Sequence, residues 1–192
     1  GRAGRDALPG RCGVVGRHTT FDIIAEAFTA PIAKIDGKYF VRPSLSVVLL
    51  AGEVLVEDSL WSILKHLTIN LVKGDDEFTL TSLDEMTAAA LVVDRFPLSL
   101  EHKFKLACAP LNRRVPGLID DFVSYAQKIS AGSAVSLPGM GTPDDLGTLE
   151  NAAARVTLYL TLSRHFGTFK DTRAAEKLRN DIALQIIHEL EY

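Results

Sequence analysis

Apolar residues recur at helical spacing along most of this chain. Leu60, Ile63, Leu64, Leu67 and Leu71 fall at i, i+3, i+4, i+7 and i+11, a single stripe down one face of an α-helix. Upstream, FDIIAEAF (Phe21 to Phe28) has the same spacing, with Asp22 early in the helix and Pro31 ending it. After Pro43, Leu45, Val48, Leu49 and Gly52 share a face. Ser82 and Glu85 form a capping box ahead of a helix that buries Leu83, Met86, Ala90 and Val93, and Pro97 closes that unit. Ser99 is placed to N-cap the next helix, with Glu101 well placed against its dipole and Leu100, Phe104, Ala107 and Cys108 inside. Pro110 ends it. Pro116 stands where another helix starts, and Leu118, Phe122, Tyr125, Ala126 and Ile129 carry its stripe. Two more helices follow, from about Leu146 to His165 and from Asp171, a good N-cap residue, to about Leu190. The short gap between them implies an antiparallel pair.

Strand signals are few. Val14 and Val15 mark a short apolar strand, and Phe78-Thr79-Leu80 another. KIDGKYFV (Lys34 to Val41) reads as a short β excursion turning at Asp36-Gly37, or as plain loop. The run GSAVSLPGMGTPDDLG is dense in Gly and Pro and reads as a linker. The pattern predicts a mainly α protein with a helical bundle at 21–131, a Gly/Pro linker at 132–145 and a C-terminal antiparallel helix pair at 146–192. No repeat of fixed period and no low-complexity segment interrupts it.

Composition narrows the class. With 192 residues, 47% hydrophobic and 23% charged, the chain can bury a real core. The net charge of −3 provides no global basic field for phosphate polymers, so any nucleic-acid contact must come from local patches. Cys12 and Cys108 lie far apart, without CxxC spacing, and read as buried free thiols in a reducing compartment. No apolar run approaches the length of about 18 residues that a membrane span needs. There is no signal peptide and no initiating methionine; Gly1 reads as a point at which a longer chain has been cut.

Chemistry is sparse. A GxxxxGK[ST] loop, an H-E-x-x-H pair, an EF-hand loop and a G-x-S-x-G elbow are all absent. The histidines at 18, 66, 102, 165 and 188 lack metal-ligand spacing and read as surface or helix-end residues, so no metal site is expected. The pairs Asp75-Asp76, Asp120-Asp121 and Asp144-Asp145 sit at turns or helix starts, where capping explains them. Arg113 and Arg114, with Lys103 and Lys105 nearby in sequence, make the best local basic patch; it reads as an RNA-phosphate contact or as solvated surface charge. Trp61, Tyr39 and Tyr159 sit within apolar patterns and read as core. One segment has more specific logic. In Gly1-Arg2-Ala3-Gly4-Arg5, two arginines three residues apart can aim two guanidinium forks at one triphosphate, while Gly1 and Gly4 let the backbone approach. Such groups stabilise the charge of phosphoryl transfer. A solvated cationic loop is the plainer alternative.

GRAGR resembles the end of motif VI of superfamily 2 helicases. Phe96-Pro97-Leu98-Ser99-Leu100, then Ala109-Pro110-Leu111-Asn112-Arg113-Arg114 and Pro116, resemble the helical region of the mitochondrial degradosome RNA helicase family in residues and spacing. So do Asp145-Leu146, Leu149-Glu150, Leu158-Tyr159-Leu160, Leu162-Ser163, Phe166, Phe169, Asp171, Ala175 and Leu178-Arg179, in the order of that family's C-terminal module. The likeness is loose between Pro31 and Lys73 and close after Phe96. Thr161 departs from it, standing where the family commonly has Trp.

The resemblance implies the C-terminal RNA-channel and accessory region of an ATP-dependent RNA helicase that works with a 3′-to-5′ exoribonuclease in RNA degradation. Residues 1–20 then become the trailing edge of a second RecA-like α/β domain. Arg2 and Arg5 become its ATP-facing arginines, and Gly1 and Gly4 its phosphate loop. ATP and Mg would belong to the full-length parent, and this segment alone would hold neither. The expected partners are single-stranded RNA and the exoribonuclease, with no membrane. The expected compartment is the mitochondrial matrix, or the cytoplasm for a bacterial relative. The alternative is a non-catalytic scaffold derived from such a helicase, working inside a ribonucleoprotein complex.

Overall fold

The computed structural model describes residues 39–72, 78–80, 83–139 and 145–191. The expected RecA-like edge at 1–20, the helix at 21–28, Cys12 and the Ser82 half of the capping box lie outside the described residues.

Local chemistry places the elements. Strand β1 (Tyr39–Val41) pairs in parallel with β2 (Phe78–Leu80), with Tyr39 opposite Phe78 and Val41 opposite Leu80. Helix α1 (Leu45–Leu55) begins at Ser44, whose hydroxyl accepts from the Val47 N–H at 3.3 Å. Val56 ends it in the left-handed region, at φ 51°. Helix α2 (Leu60–Val72) carries the stripe expected from the sequence; Leu60, Ile63 and Leu64 have no exposed surface. Helix α3 (Leu83–Val93) buries Met86, Ala89, Ala90 and Val93.

Helix α4 (Leu100–Ala107) starts at Ser99 as expected, its hydroxyl accepting from the His102 N–H at 3.2 Å. Helix α5 (Leu118–Ser130) starts two residues after Pro116, with Gly117 at φ 74° as its cap residue. Helix α6 (Leu146–Ser163) opens with a full capping box. The Asp145 carboxylate accepts from the Thr148 N–H at 2.7 Å, and the Asp145 N–H donates back to the Thr148 hydroxyl at 3.1 Å. Helix α7 (Thr172–Glu191) starts after Asp171, as the sequence suggests. However, Asp171 is left-handed at φ 53° and not in the extended form usual for an N-cap; its carbonyl still accepts from the Ala175 N–H.

The chain is mainly helical, as its periodicity predicts. Lys38–Tyr192 makes one compact unit with one continuous core. Val48, Leu60, Met86, Leu106, Phe122 and Tyr159 all belong to that core, so bundle and C-terminal helices share it. Helix α6 packs on both α5 and α7. Its Tyr159 ring meets Tyr125 of α5 and Phe169 of the α6–α7 connection edge to face, at 5.9 and 4.9 Å between centroids. In the Gly/Pro-rich run, Val135 is fully buried. It bridges to Phe169 through backbone bonds with Thr168 and Lys170.

A candidate nucleic-acid interface

The turn 110–117 presents the two arginines of the expected basic patch. Asn112 holds it, its side-chain oxygen accepting from the Arg114 N–H at 3.0 Å and its carbonyl from the Val115 N–H at 3.0 Å. Arg113 and Arg114 are both exposed on this turn and carry no ion pair among the described residues. They edge an open groove of about 670 Å³ that runs between the turn, Glu85 of α3 and Ala154 and Thr157 of α6. A smaller cleft of about 240 Å³ adjoins it between α3 and α5. Glu85, Leu111 and Arg113 line both, and the cleft continues over Ala88, Val92 and Ile119.

The next cation along the wall is neutralised. Arg155 of α6 donates from Nε and Nη2 to the two carboxylate oxygens of Asp121, at 2.5 and 3.0 Å. This planar fork joins α5 to α6 and raises the arginine's pKa, chiefly through the hydrogen bond to Asp121. A Cβ added to Gly117 would lie 3.8 Å from the Arg155 guanidinium carbon, so this pair abuts the turn that carries Arg113 and Arg114. Beside it, burial pushes the Tyr125 phenol far above its ordinary range, and the Asp121 charge adds to the rise.

The structure does not bring all four expected cations together. Lys105 pairs with Glu101 one turn away on α4, at 2.6 Å. Lys103 is buried, only 6% exposed, with its ammonium 3.1 Å from the Asp94 carboxylate and donating to the Asp58 carbonyl at 2.8 Å. It is therefore a structural cation and not part of a surface patch. Sequence reading missed this because the partners lie at the far end of α3 and before α2. The Asp94 carboxylate also accepts from the Ser59 hydroxyl and from the Leu60 and Trp61 N–H groups, at 2.9, 3.0 and 2.9 Å. It thus caps a helix that starts 34 residues upstream. No signal in the local sequence announces such a cap.

Arg2, Arg5, Gly1 and Gly4 lie outside the described residues. Cys108 is only half-buried, not fully buried as its thiol was expected to be; burial pushes it up, opposed by the Arg42 guanidinium. His66, His102, His165 and His188 are exposed. His102 sits edge to face on Phe166 with centroids 5.3 Å apart. Among the described residues no group of His, Cys, Asp and Glu has the arrangement of a metal site, and no helix is long and apolar enough to cross a membrane.

Fold and groove define a class, a mainly helical domain with two exposed arginines at the edge of a groove, neither in an ion pair among the described residues. Residues 88–130 match the family model described as Suv3 C-terminal domain 1, the C-terminal part of the mitochondrial degradosome RNA helicase. The resemblance drawn from the sequence blocks is thereby borne out over that segment. It runs from the middle of α3 through α4 and the arginine turn to the end of α5. No curated protein matches the chain.

Proposed function

We propose that this chain is the RNA-channel and accessory region of an ATP-dependent RNA helicase, and that Arg113 and Arg114 hold the phosphates of single-stranded RNA. The observation that carries the proposal is the overlap of the family match with the groove: the matched segment contains the arginine turn, all of α5 and the second half of α3. Two exposed guanidinium groups with no carboxylate partner among the described residues can pair with phosphate oxygens, which they suit better than an ammonium does. The acidic overall charge means this contact must act locally, with each neutralised phosphate releasing counterions.

In the same reading, Arg2 and Arg5 face ATP, which the motor domains of the full-length parent bind with Mg, and Gly1 and Gly4 stand at its phosphates. Hydrolysis there drives closure of the helical region on RNA. The parent works with a 3′-to-5′ exoribonuclease in RNA degradation, in the mitochondrial matrix if eukaryotic. The domain plan belongs to the same proposal, with a RecA-like edge at 1–20, a bundle at 21–131, a linker at 132–145 and a C-terminal module at 146–192.

The test uses the full-length protein and a fluorescent single-stranded oligoribonucleotide. Arg113→Ala and Arg114→Ala each weaken binding for all sequences alike and lower the salt slope by about 1. Affinity and slope unchanged in both variants would sink the phosphate role. Replacing Arg2 or Arg5 with Ala lowers ATP turnover by about 10³-fold or more, the range of arginines that stabilise phosphoryl transfer; unchanged turnover removes them from the ATP site.

A further inference from the structure

The cleft between α3 and α5 has no place in a purely phosphate-binding role. Phosphate contacts need only the outer groove, where Arg113 and Arg114 stand. Behind Arg113 the surface turns apolar: Ala88, Ala89 and Val92 from α3 face Ile119 and Phe122 from α5. Ala89 and Phe122 are buried in the core, at 3% and 0% exposure, so they form a floor that cannot retreat. Among the described residues one ionisable side chain other than Arg113 lines the cleft. It is Glu85, exposed in the first turn of α3 and shared with the outer groove.

A cleft of about 240 Å³ with apolar walls, a carboxylate and a guanidinium among its lining groups has the features of a nucleobase site. Single-stranded RNA exposes bases that proteins take into such pockets, while a duplex keeps them stacked. An ionised carboxylate only accepts hydrogen bonds, so it selects the donor-bearing edge of a base. Cytosine presents an exocyclic amine, to which Glu is a recognised acceptor. Uracil presents carbonyl oxygens at the corresponding position, and these repel a carboxylate.

We propose that the α3–α5 cleft is a base-binding subsite of the RNA path. A phosphate sits on Arg113 and Arg114, the neighbouring base enters between Ala88 and Ile119, and Glu85 favours an amino-bearing base over uracil. This rests on the reading of Arg113 and Arg114 as phosphate ligands. It adds to that reading single-strand selectivity and a base preference at one nucleotide.

The experiment measures anisotropy of the full-length protein with oligocytidylate, oligouridylate and a base-free ribose-phosphate oligomer of equal length. Oligocytidylate is expected to bind about three- to tenfold more tightly than oligouridylate, the scale of a single base contact. Glu85→Gln, which can donate as well as accept, should bring the two within about twofold of each other. Ala88→Leu, which fills the cleft and leaves the arginines in place, should weaken both base-bearing oligomers toward the base-free one. Circular dichroism and thermal melting check that each variant is folded; should Ala88→Leu fail to fold, the comparison of oligomers on the unaltered protein still decides. Equal binding of all three oligomers, still weakened by Arg113→Ala, would overturn the base subsite and leave the phosphate reading intact. Binding indifferent to Arg113→Ala and Arg114→Ala would overturn both, and would leave the groove to a partner other than RNA.

Discussion

At the residue scale the most consequential side chain is Asp94. It caps α2 with two backbone bonds, takes the Ser59 hydroxyl and neutralises the buried Lys103. Asp94→Ala leaves that ammonium without its carboxylate in the interior and strips the N-terminus of α2. Loss of one partner of a buried pair costs about 3–5 kcal/mol, so unfolding by urea should show a loss of that order. A loss below about 1 kcal/mol would mean that Lys103 relaxes to water and the pair has little structural role. Two tyrosines offer a contrast within one aromatic cluster. The Tyr159 hydroxyl donates to the carbonyls of Val135 and Lys170, whereas that of Tyr125 is buried and meets no partner among the described residues. Tyr159→Phe should destabilise by about 1–3 kcal/mol, and Tyr125→Phe should be neutral or stabilising, because only the first takes a donor from the Lys170 carbonyl, the Val135 carbonyl keeping its bond from the Lys170 N–H. Matched thermal melts of the two variants decide the point.

At the element scale, the start of α6 depends on a carboxylate. Hydrogen bonds from Thr148 hold the Asp145 pKa below the ordinary range. A lowered folded pKa contributes stability that is present above the unfolded value and lost as pH falls through the folded one. Asp145→Asn keeps a capping oxygen but cannot titrate. The melting temperature of the parent should therefore fall more than that of the variant between pH 7 and pH 3. Parallel curves would show that Asp145 does not carry this dependence. Where α1 crosses its neighbours, Gly52 is the close approach, since a Cβ there would lie 2.7 Å from Leu100 Cδ2 and 3.1 Å from the Glu57 carbonyl oxygen. The helical stripes and the Ser99 cap were legible because their partners lie within one or two turns. The parallel pairing of Tyr39–Val41 with Phe78–Leu80 was not, because strand partners carry no mark of each other in the chain.

At the scale of the whole molecule, the bundle and the C-terminal helices share one core through Tyr125, Tyr159, Phe166 and Phe169. They should therefore open together. Hydrogen exchange on the intact protein should give the core amides of α3, α5 and α6 closely similar opening free energies. If α6 and α7 opened far more readily than α5, the helix pair would be a separate unit behind its Gly/Pro-rich run. The α5–α6 junction is also held by the Asp121–Arg155 fork. In a double-mutant cycle with Asp121→Ala and Arg155→Ala, a coupling of about 1–3 kcal/mol is expected for this charged, two-bond contact.

The candidate site divides along the same line. Arg113 and Arg114 were readable as a cationic pair after a helix end, because charge and turn residues are local properties. Lys103 and Lys105 looked equivalent to them in sequence, yet one is neutralised in the interior and the other on its own helix. The cleft with Glu85 in its lining was invisible, since its walls come from residues 85–92 and 111–122 on separate elements. Among the described residues the sequence by itself determined which segments become helices and where most begin, and it carried the family likeness that the matched segment bears out. The tertiary structure decided which charges stay in water, which carboxylate caps a distant helix and where a cavity opens. Helix formation depends on neighbours three or four residues away, whereas burial, pairing and cavities depend on residues that only the packed chain brings together.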